Sequence, residues 1–315
     1  MAQKVTIIGA GAVGSTIAYT LTTRGLATEV VLIDINNEKA LGEAMDIKQG
    51  LPFCPAVNIF AGSYSDAKNS EIVILTSGVA RKPGQSRLDL AQVNVDITKT
   101  IIPQITKVAP DAKYIIVANP CDILTYQFYK TSGLNPNQIM GTGTLLDSAR
   151  LRARIAEYYF LTQSNVHGYV FGEHGDSSFV PWSLANISGV PVSKYAESVA
   201  TRDDIFPPLD YKDVENYMKK SGSKIIERKG ATYYAIAAST CHLVDCVDNV
   251  MDSTLTVSSM LNGEYGIDDV CMSILCVVGP AGIKSHLVAP LTDEEIEKLR
   301  FSAGCLKDVI KQLRF

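Results

Sequence analysis

Three short segments of the 315-residue chain set polar side chains in apolar or glycine-rich surroundings: Arg81 to Arg87, Leu146 to Arg150, and Gly172 to Asp176. In Gly172-Glu173-His174-Gly175-Asp176 the flanking glycines leave the imidazole of His174 accessible, which suits proton exchange near neutral pH. Taken alone, the same histidine also fits a structural role. Asp147 and Arg150 lie three residues apart on a predicted helix, so they share a face. They can line one pocket or form an ordinary surface ion pair. Asn119 follows a predicted strand, where it can contact a ligand or simply open an Asn-Pro turn.

A different chemistry is written near the N-terminus. Gly9, Gly11 and Gly14 form G-x-G-x-x-G directly after a predicted strand and at the start of a predicted helix, the setting that binds a dinucleotide. The first glycine permits the tight turn, the second lets the backbone approach a pyrophosphate, and the third lets helix and strand pack closely. The helix amides then face the phosphates. Asp34 stands twenty residues past Gly14, at the end of the second predicted strand. A carboxylate there accepts bonds from the adenine ribose hydroxyls and repels the extra phosphate of NADP, which points to NAD. The glycine pattern by itself also fits a module for another nucleotide.

The elements that must position these residues come from hydrophobic patterning. Val5 to Ile8, Glu29 to Ile33, Ile72 to Leu75, Tyr114 to Ala118 and Ile139 to Gly143 are predicted strands. Ala12 to Arg24 and Leu88 to Val108 carry helical spacing, with a kink or break expected at Pro103. Strands alternating with helices predict an α/β fold, a Rossmann doubly wound parallel sheet over residues 1–144. Past that point the rhythm becomes helix Leu146 to Phe160, strand-like Val166 to Phe171, a long mixed stretch and a closing helix. Residues 145–315 are therefore expected to form an α+β substrate-binding domain. The closing helix has a start signal in Thr292 followed by Asp293, Glu294 and Glu295.

Composition narrows the function class. A hydrophobic fraction of 46%, with 20% charged residues, fits a globular chain and argues against disorder. A net charge of -4 gives no basic surface for nucleic acid. The longest apolar stretches, such as Ile274 to Ile283, fall short of the roughly 20 residues a spanning helix needs. Four residues before the first predicted strand leave no room for a secretory signal, so a cytoplasmic location is expected. The seven cysteines are odd in number and scattered, which argues for reduced core thiols rather than a disulfide framework or a metal site. His242 and His286 have no comparable polar neighbours in sequence and are expected to be structural.

The segments taken together resemble the lactate and malate dehydrogenase family over essentially the whole chain. Besides the glycine fingerprint, the likeness is carried by Asn119-Pro120-Cys121-Asp122, Leu146-Asp147-Ser148-Ala149-Arg150, Gly172-Glu173-His174-Gly175-Asp176 and Lys229-Gly230-Ala231-Thr232-Tyr233-Tyr234. The resemblance implies that His174 protonates the keto oxygen of a 2-keto acid and acts as the base in reverse. It implies that Asp147 tunes His174, that Arg150 grips the substrate C1 carboxylate, and that Arg87 polarises the carbonyl from a loop that closes over the substrate. Asn119 is expected beside the nicotinamide and the reacting oxygen. Ala12, Val13, Thr76 and Gly78 join the expected cofactor-binding set.

The positions that select the acid disagree. Arg81 stands where lactate dehydrogenases usually carry glutamine and malate dehydrogenases arginine. Glu173, Thr232, Pro181-Trp182-Ser183 and the C-terminal helix look lactate-type. Closing Arg81 over a methyl group would desolvate an unpaired charge, so the expectation is L-malate and oxaloacetate, with L-lactate and pyruvate the alternative. A solvent-facing Arg81 would favour pyruvate. In family members regulated by fructose 1,6-bisphosphate, the positions matched by Arg152 and His167 bind the effector across a subunit interface. A homotetramer, or else a dimer, is expected on the same ground. The different-class alternative is an NAD-binding sensor without turnover.

Overall fold

The computed structural model describes residues 2–79, 87–199, 207 and 209–315. Arg81 therefore lies outside the described residues, and Arg87 is placed only as the first residue of its helix. The first half follows the expected alternation: β1 (Ala2–Ile8), α1 (Ala12–Arg24), β2 (Ala27–Ile33), α2 (Asn37–Gln49), β3 (Asn58–Ala61), β4 (Ile72–Leu75), α3 (Arg87–Val108), β5 (Lys113–Ile116), α4 (Cys121–Thr131) and β6 (Ile139–Gly141). Its β-branched runs are buried on both faces, as parallel strands covered by helices must be. Val5 to Ile8 pair in parallel with Val30 to Ile33 on one side and Ile72 to Leu75 on the other. The six strands lie in the order β3-β2-β1-β4-β5-β6, so the chain reverses direction across the sheet between β1 and β4. A ligand crevice opens at the carboxyl ends of the strands at such a point.

The second half contains α5 (Leu145–Tyr158), β7 (Val166–His167), β8 (Asn186–Ile187), β9 (Val190–Pro191), α6 (Val192–Ser198), α7 (Tyr211–Lys229), α8 (Tyr234–Asp248), β10 (Ser253–Asn262), β11 (Asp268–Gly279), β12 (Gly282–His286) and α9 (Asp293–Ile310). Strands β10, β11 and β12 form an antiparallel meander that joins β6 through the pair Ser258 and Gly141, giving one nine-stranded sheet. The apolar stretch from Ile274 to Ile283 is thus sheet core in β11 and β12. Among the described residues no helix is long and apolar enough to cross a membrane. A second apolar cluster, including Leu151, Ile155, Val166, Val180 and Met218, packs α5 and α7 against the small β7-β8-β9 sheet.

Several expectations shift. Pro103 does not end α3, which runs through it to Val108. Of Val166 to Phe171 only Val166 and His167 pair as strand, because the chain then turns so that Phe171 bridges Phe179 and Gly172 bridges Ser273 of β11. The predicted strand Ile139 to Gly143 stops at Gly141, and Gly143 adopts φ +45°, where an added Cβ would collide with the Ser273 hydroxyl. The Thr292 and Glu295 capping box forms as expected, and Glu295 also accepts from the Ser183 backbone and hydroxyl.

His286 is structural, but it has neighbours that local sequence concealed. Its Nδ1 lies 2.5 Å from Glu264 Oε1 and its Nε2 2.9 Å from the buried Ser259 hydroxyl, so both ring nitrogens tie the end of β12 to β10 and its following turn. Burial pushes the Glu264 carboxyl up, but the bonds from His286 and from the Asn262 N–H outweigh it and hold the group below its ordinary 4.5. A depressed carboxyl contributes stability above its unfolded pKa, and that contribution is lost as pH falls through the folded value. Urea titrations of Glu264→Gln should therefore show a loss of about 1–2 kcal/mol near neutral pH that shrinks on acidification below 4.5. A difference independent of pH would remove this strut from the account.

Candidate active site

A cavity of about 480 Å³ opens at the carboxyl ends of β4, β5 and β6, walled on the far side by α7 and α8. It brings together Val13, Thr76, Gly78, Asn119, Asp147, Arg150, His174 and Thr232 from the predicted site. Asp147 is the centre of its charge pattern. Arg150 Nη1 donates to Asp147 Oδ1 at 2.8 Å, while His174 Nδ1 lies 2.6 Å from Asp147 Oδ2. The Asp147 side chain is only 9% exposed and that of Arg150 16%, so the pair is not an ordinary surface bridge. Leu145 to Ala149 enter α5 with their apolar face against the core, which turns Asp147 inward.

His174 is held at its backbone too. Its N–H donates to Asp122 Oδ2 at 2.7 Å, and the preceding turn is fixed by Gly172, whose φ of +95° and contact with Ser302 leave no room for a Cβ. The N–H of Glu173 donates to the Ser302 hydroxyl at 2.9 Å, so α9 braces the turn. With Nδ1 engaged, Nε2 is the nitrogen available to a ligand. The Asp147 charge, opposed by burial, pushes the imidazole up to about 9 from its ordinary 6.5. Burial raises Asp147, yet the cations His174 and Arg150 outweigh it and hold the carboxyl below its ordinary range. The cluster is thus an imidazolium near neutral pH, poised to give a proton to an oxygen beside it. Arg150 keeps further N–H donors for a carboxylate, with Gly222 of α7 leaving space beside its Nη2.

The glycine turn has the shape a pyrophosphate needs. Gly9 has φ +109°, and a Cβ on Gly14 would sit 1.8 Å from Gly9 O. Thr76 Oγ1 donates to that same oxygen at 2.8 Å. A Cβ on Gly11 would meet nothing within 4 Å, and no side chain caps α1, so its first amides face open space. Asp34 stands at the end of β2, its carboxylate oriented by the N–H groups of Ala10 (2.7 Å) and Asn36 (2.9 Å). These residues fit NAD, which supplies and takes up the hydride when bound.

Two buried polar residues escaped the sequence reading. Asn94, in the middle of α3, accepts from Val79 N and donates to Asn119 O at 2.7 Å, pinning the chain after β4 to the segment after β5. Its only signal was an amide between Val93 and Val95. Asp122 stood in the Asn119-Pro120-Cys121-Asp122 segment, but nothing local indicated that it would reach His174, fifty-two residues on. Arg152 lies on α5, against Gly168, and His167 is exposed on β7. All seven cysteines are free.

Comparison with known proteins agrees with this geometry. The NAD-binding domain model of lactate/malate dehydrogenase matches residues 3–141, and the family's alpha/beta C-terminal domain model matches residues 144–314. The chain belongs to the lactate/malate dehydrogenase family. It is 46% identical over 311 residues to an L-lactate dehydrogenase of Thermoanaerobacterium saccharolyticum, covering 99% of each chain. It is 43% identical over 310 residues to L-lactate dehydrogenase 1 of Clostridium acetobutylicum, covering 98% of each. The crystal structure of the minor L-lactate dehydrogenase from Enterococcus mundtii superposes with a TM-score of 0.93 at 37% identity, over 100% of this chain and 99% of that one. As a family member the chain is an NAD-dependent 2-hydroxy acid dehydrogenase.

The charge cluster makes a test that needs no substrate. Imidazole NMR should show His174 titrating near 9, and Asp147→Asn should lower that value by about 1–3 units. The raised value also stabilises the fold fully below 6.5, and this contribution is lost as pH rises through about 9. A His174 that titrates near 6.5 in both proteins would dissolve the cluster as described.

Proposed function

We propose that the chain interconverts pyruvate and L-lactate with NAD. Support comes chiefly from the relatives of 43–46% identity spanning nearly the whole chain, which are named L-lactate dehydrogenase. Thr232 and Ile236 line the cavity that holds Arg150, giving a small keto acid one carboxylate anchor and a hydroxyl and aliphatic wall. In this assignment Arg150 binds the C1 carboxylate through a planar fork that lysine cannot copy. His174 gives its Nε2 proton to the keto oxygen as the alcohol forms and recovers it in oxidation. Asp147 keeps the ring in the required orientation and charge. Arg87 polarises the carbonyl, and Asn119 orients the reacting oxygen.

Arg81 favours a second reading, oxaloacetate and L-malate, because a second carboxylate would pair a guanidinium that a methyl group leaves bare. Steady-state kinetics with both keto acids, on the native chain and on Arg81→Gln, separates the two. The lactate assignment expects pyruvate to lead in both proteins. An oxaloacetate preference of roughly 10² or more in kcat/KM that Arg81→Gln reverses would establish the malate assignment instead. NADH left unoxidised with every 2-keto acid would make the chain a non-catalytic NAD sensor.

Arg152 and His167 support regulation by fructose 1,6-bisphosphate in a homotetramer, where a two-fold axis would duplicate the pair. With the bisphosphate present, the apparent KM for the keto acid should fall, and Arg152→Gln should abolish the response. Identical kinetics with and without it would end the effector assignment.

A further inference from the structure

We infer that Asp122 is a positioning residue of the acid–base centre, a second carboxylate that holds His174 from behind while Asp147 holds it from the ring. This rests on His174 being the proton-exchanging group, and it assigns Asp122 a task independent of which acid is reduced. The observation is a juxtaposition. Asp122 lies in the first turn of α4, is 3% exposed, and spends Oδ2 on the His174 N–H at 2.7 Å. Its Oδ1 is buried without a hydrogen-bond partner among the described residues, and the nearby Ser258 hydroxyl on β10 is likewise unpartnered.

A carboxylate is an expensive way to accept one backbone N–H. An asparagine of the same shape would accept it equally well and could offer its amide to Ser258, so the charge itself calls for a reason. The titratable groups facing Asp122 are His174 and Glu173 from the glycine turn, Cys121 beside it on α4, and Cys271 from β11. His174 faces Asp147 and Arg150 from α5 in addition. Of these neighbours only His174 gains from a negative Asp122, since Glu173 repels it and the two buried thiols are pushed up by it.

Burial pushes the Asp122 carboxyl up to about 6, against the His174 N–H bond and the nearby Ser258 hydroxyl dipole, which favour its charge. An acid raised in the fold adds stability below its unfolded 3.8, and that is lost as pH rises through about 6. At neutral pH the ionised group therefore costs the fold stability. The negative charge is instead spent on His174, whose protonated form it favours across the short backbone bond.

Asp122→Asn tests this by moving stability and proton affinity in opposite directions. The variant should melt at the same temperature or up to a few degrees higher, while the His174 imidazole titration falls by about 0.5–1 unit and the alkaline limb of keto-acid reduction falls with it. KM for NADH should not change. Asp122→Ala, which also removes the N–H acceptor, should lose a further roughly 10-fold in kcat. In the native protein, the His174 imidazole shift should show a second, smaller inflection near 6 as Asp122 takes up its proton. An unchanged His174 titration in Asp122→Asn, a lowered melting temperature, or no inflection near 6 would each overturn the inference. The imidazole readings use no keto acid, so an error in the pyruvate assignment would leave them untouched.

Discussion

Everything in the site depends on keeping Asp147 ionised in a place where water scarcely reaches it. A lone buried carboxylate would take a proton, and removal of one partner from a buried pair commonly costs about 3–5 kcal/mol. Here each oxygen has its own cation, Arg150 on Oδ1 and His174 on Oδ2. The arrangement binds two functions into one electrostatic unit. Arg150 is held in place by Asp147, and His174 owes its raised proton affinity first to the same group.

The fold's unusual feature, an antiparallel meander grafted onto a parallel sheet, serves this unit. Asp147 and His174 sit on segments that have no reason of their own to meet. Hydroxyls lace them together: the Ser273 hydroxyl of β11 accepts from Thr144 N, Ser148 Oγ accepts from Val170 N and pairs with Thr256 of β10, and Thr144 Oγ1 donates to Val170 O. The Gly172 backbone pairs with Ser273 on the same strand. Strands β10 and β11 are therefore the jig that sets the distance from α5 to the glycine turn. Side-chain hydrogen bonds in a dry interior are directional, which an apolar contact is not, and proton transfer needs that precision.

This division explains what sequence reveals. The parallel half was legible because Val5 to Ile8, Val30 to Ile33 and Ile72 to Leu75 are β-branched runs broken by amphipathic helices, a local signal. His174, Asp147, Arg150 and the glycine turn were legible because their surroundings are distinctive over five or six residues. The meander was not, since the apolar runs of β10 and β11 are interrupted by serines, and those serines look like surface until the hydroxyl network exists. Pro103 illustrates a different failure: its local preference for breaking α3 yields to the packing of a helix whose Val95, Ile102 and Ile105 are buried. Asn94, Asp122 and the Glu264, His286 and Ser259 strut act across long sequence separations, and no periodicity encodes such partners.

The same division bears on substrate choice. In the proposed assignment Arg150, His174 and Asp147 read only what every 2-keto acid shares, a carboxylate beside a carbonyl, and their mutual bonds leave them little freedom to adapt. On that assignment discrimination falls to other groups; Thr232 lines the cavity, and Arg81 belongs to the segment between β4 and α3. A guanidinium there acts as a penalty as much as an attraction. With a methyl group it stays harmless only if it keeps its water, whereas a second carboxylate repays its desolvation. Under the lactate assignment proposed above, an arginine at position 81 calls for a bound state that leaves its guanidinium hydrated. The buried cluster fixes the charge pattern of the site, while an arginine's preference between a methyl group and a carboxylate turns on how completely it is desolvated.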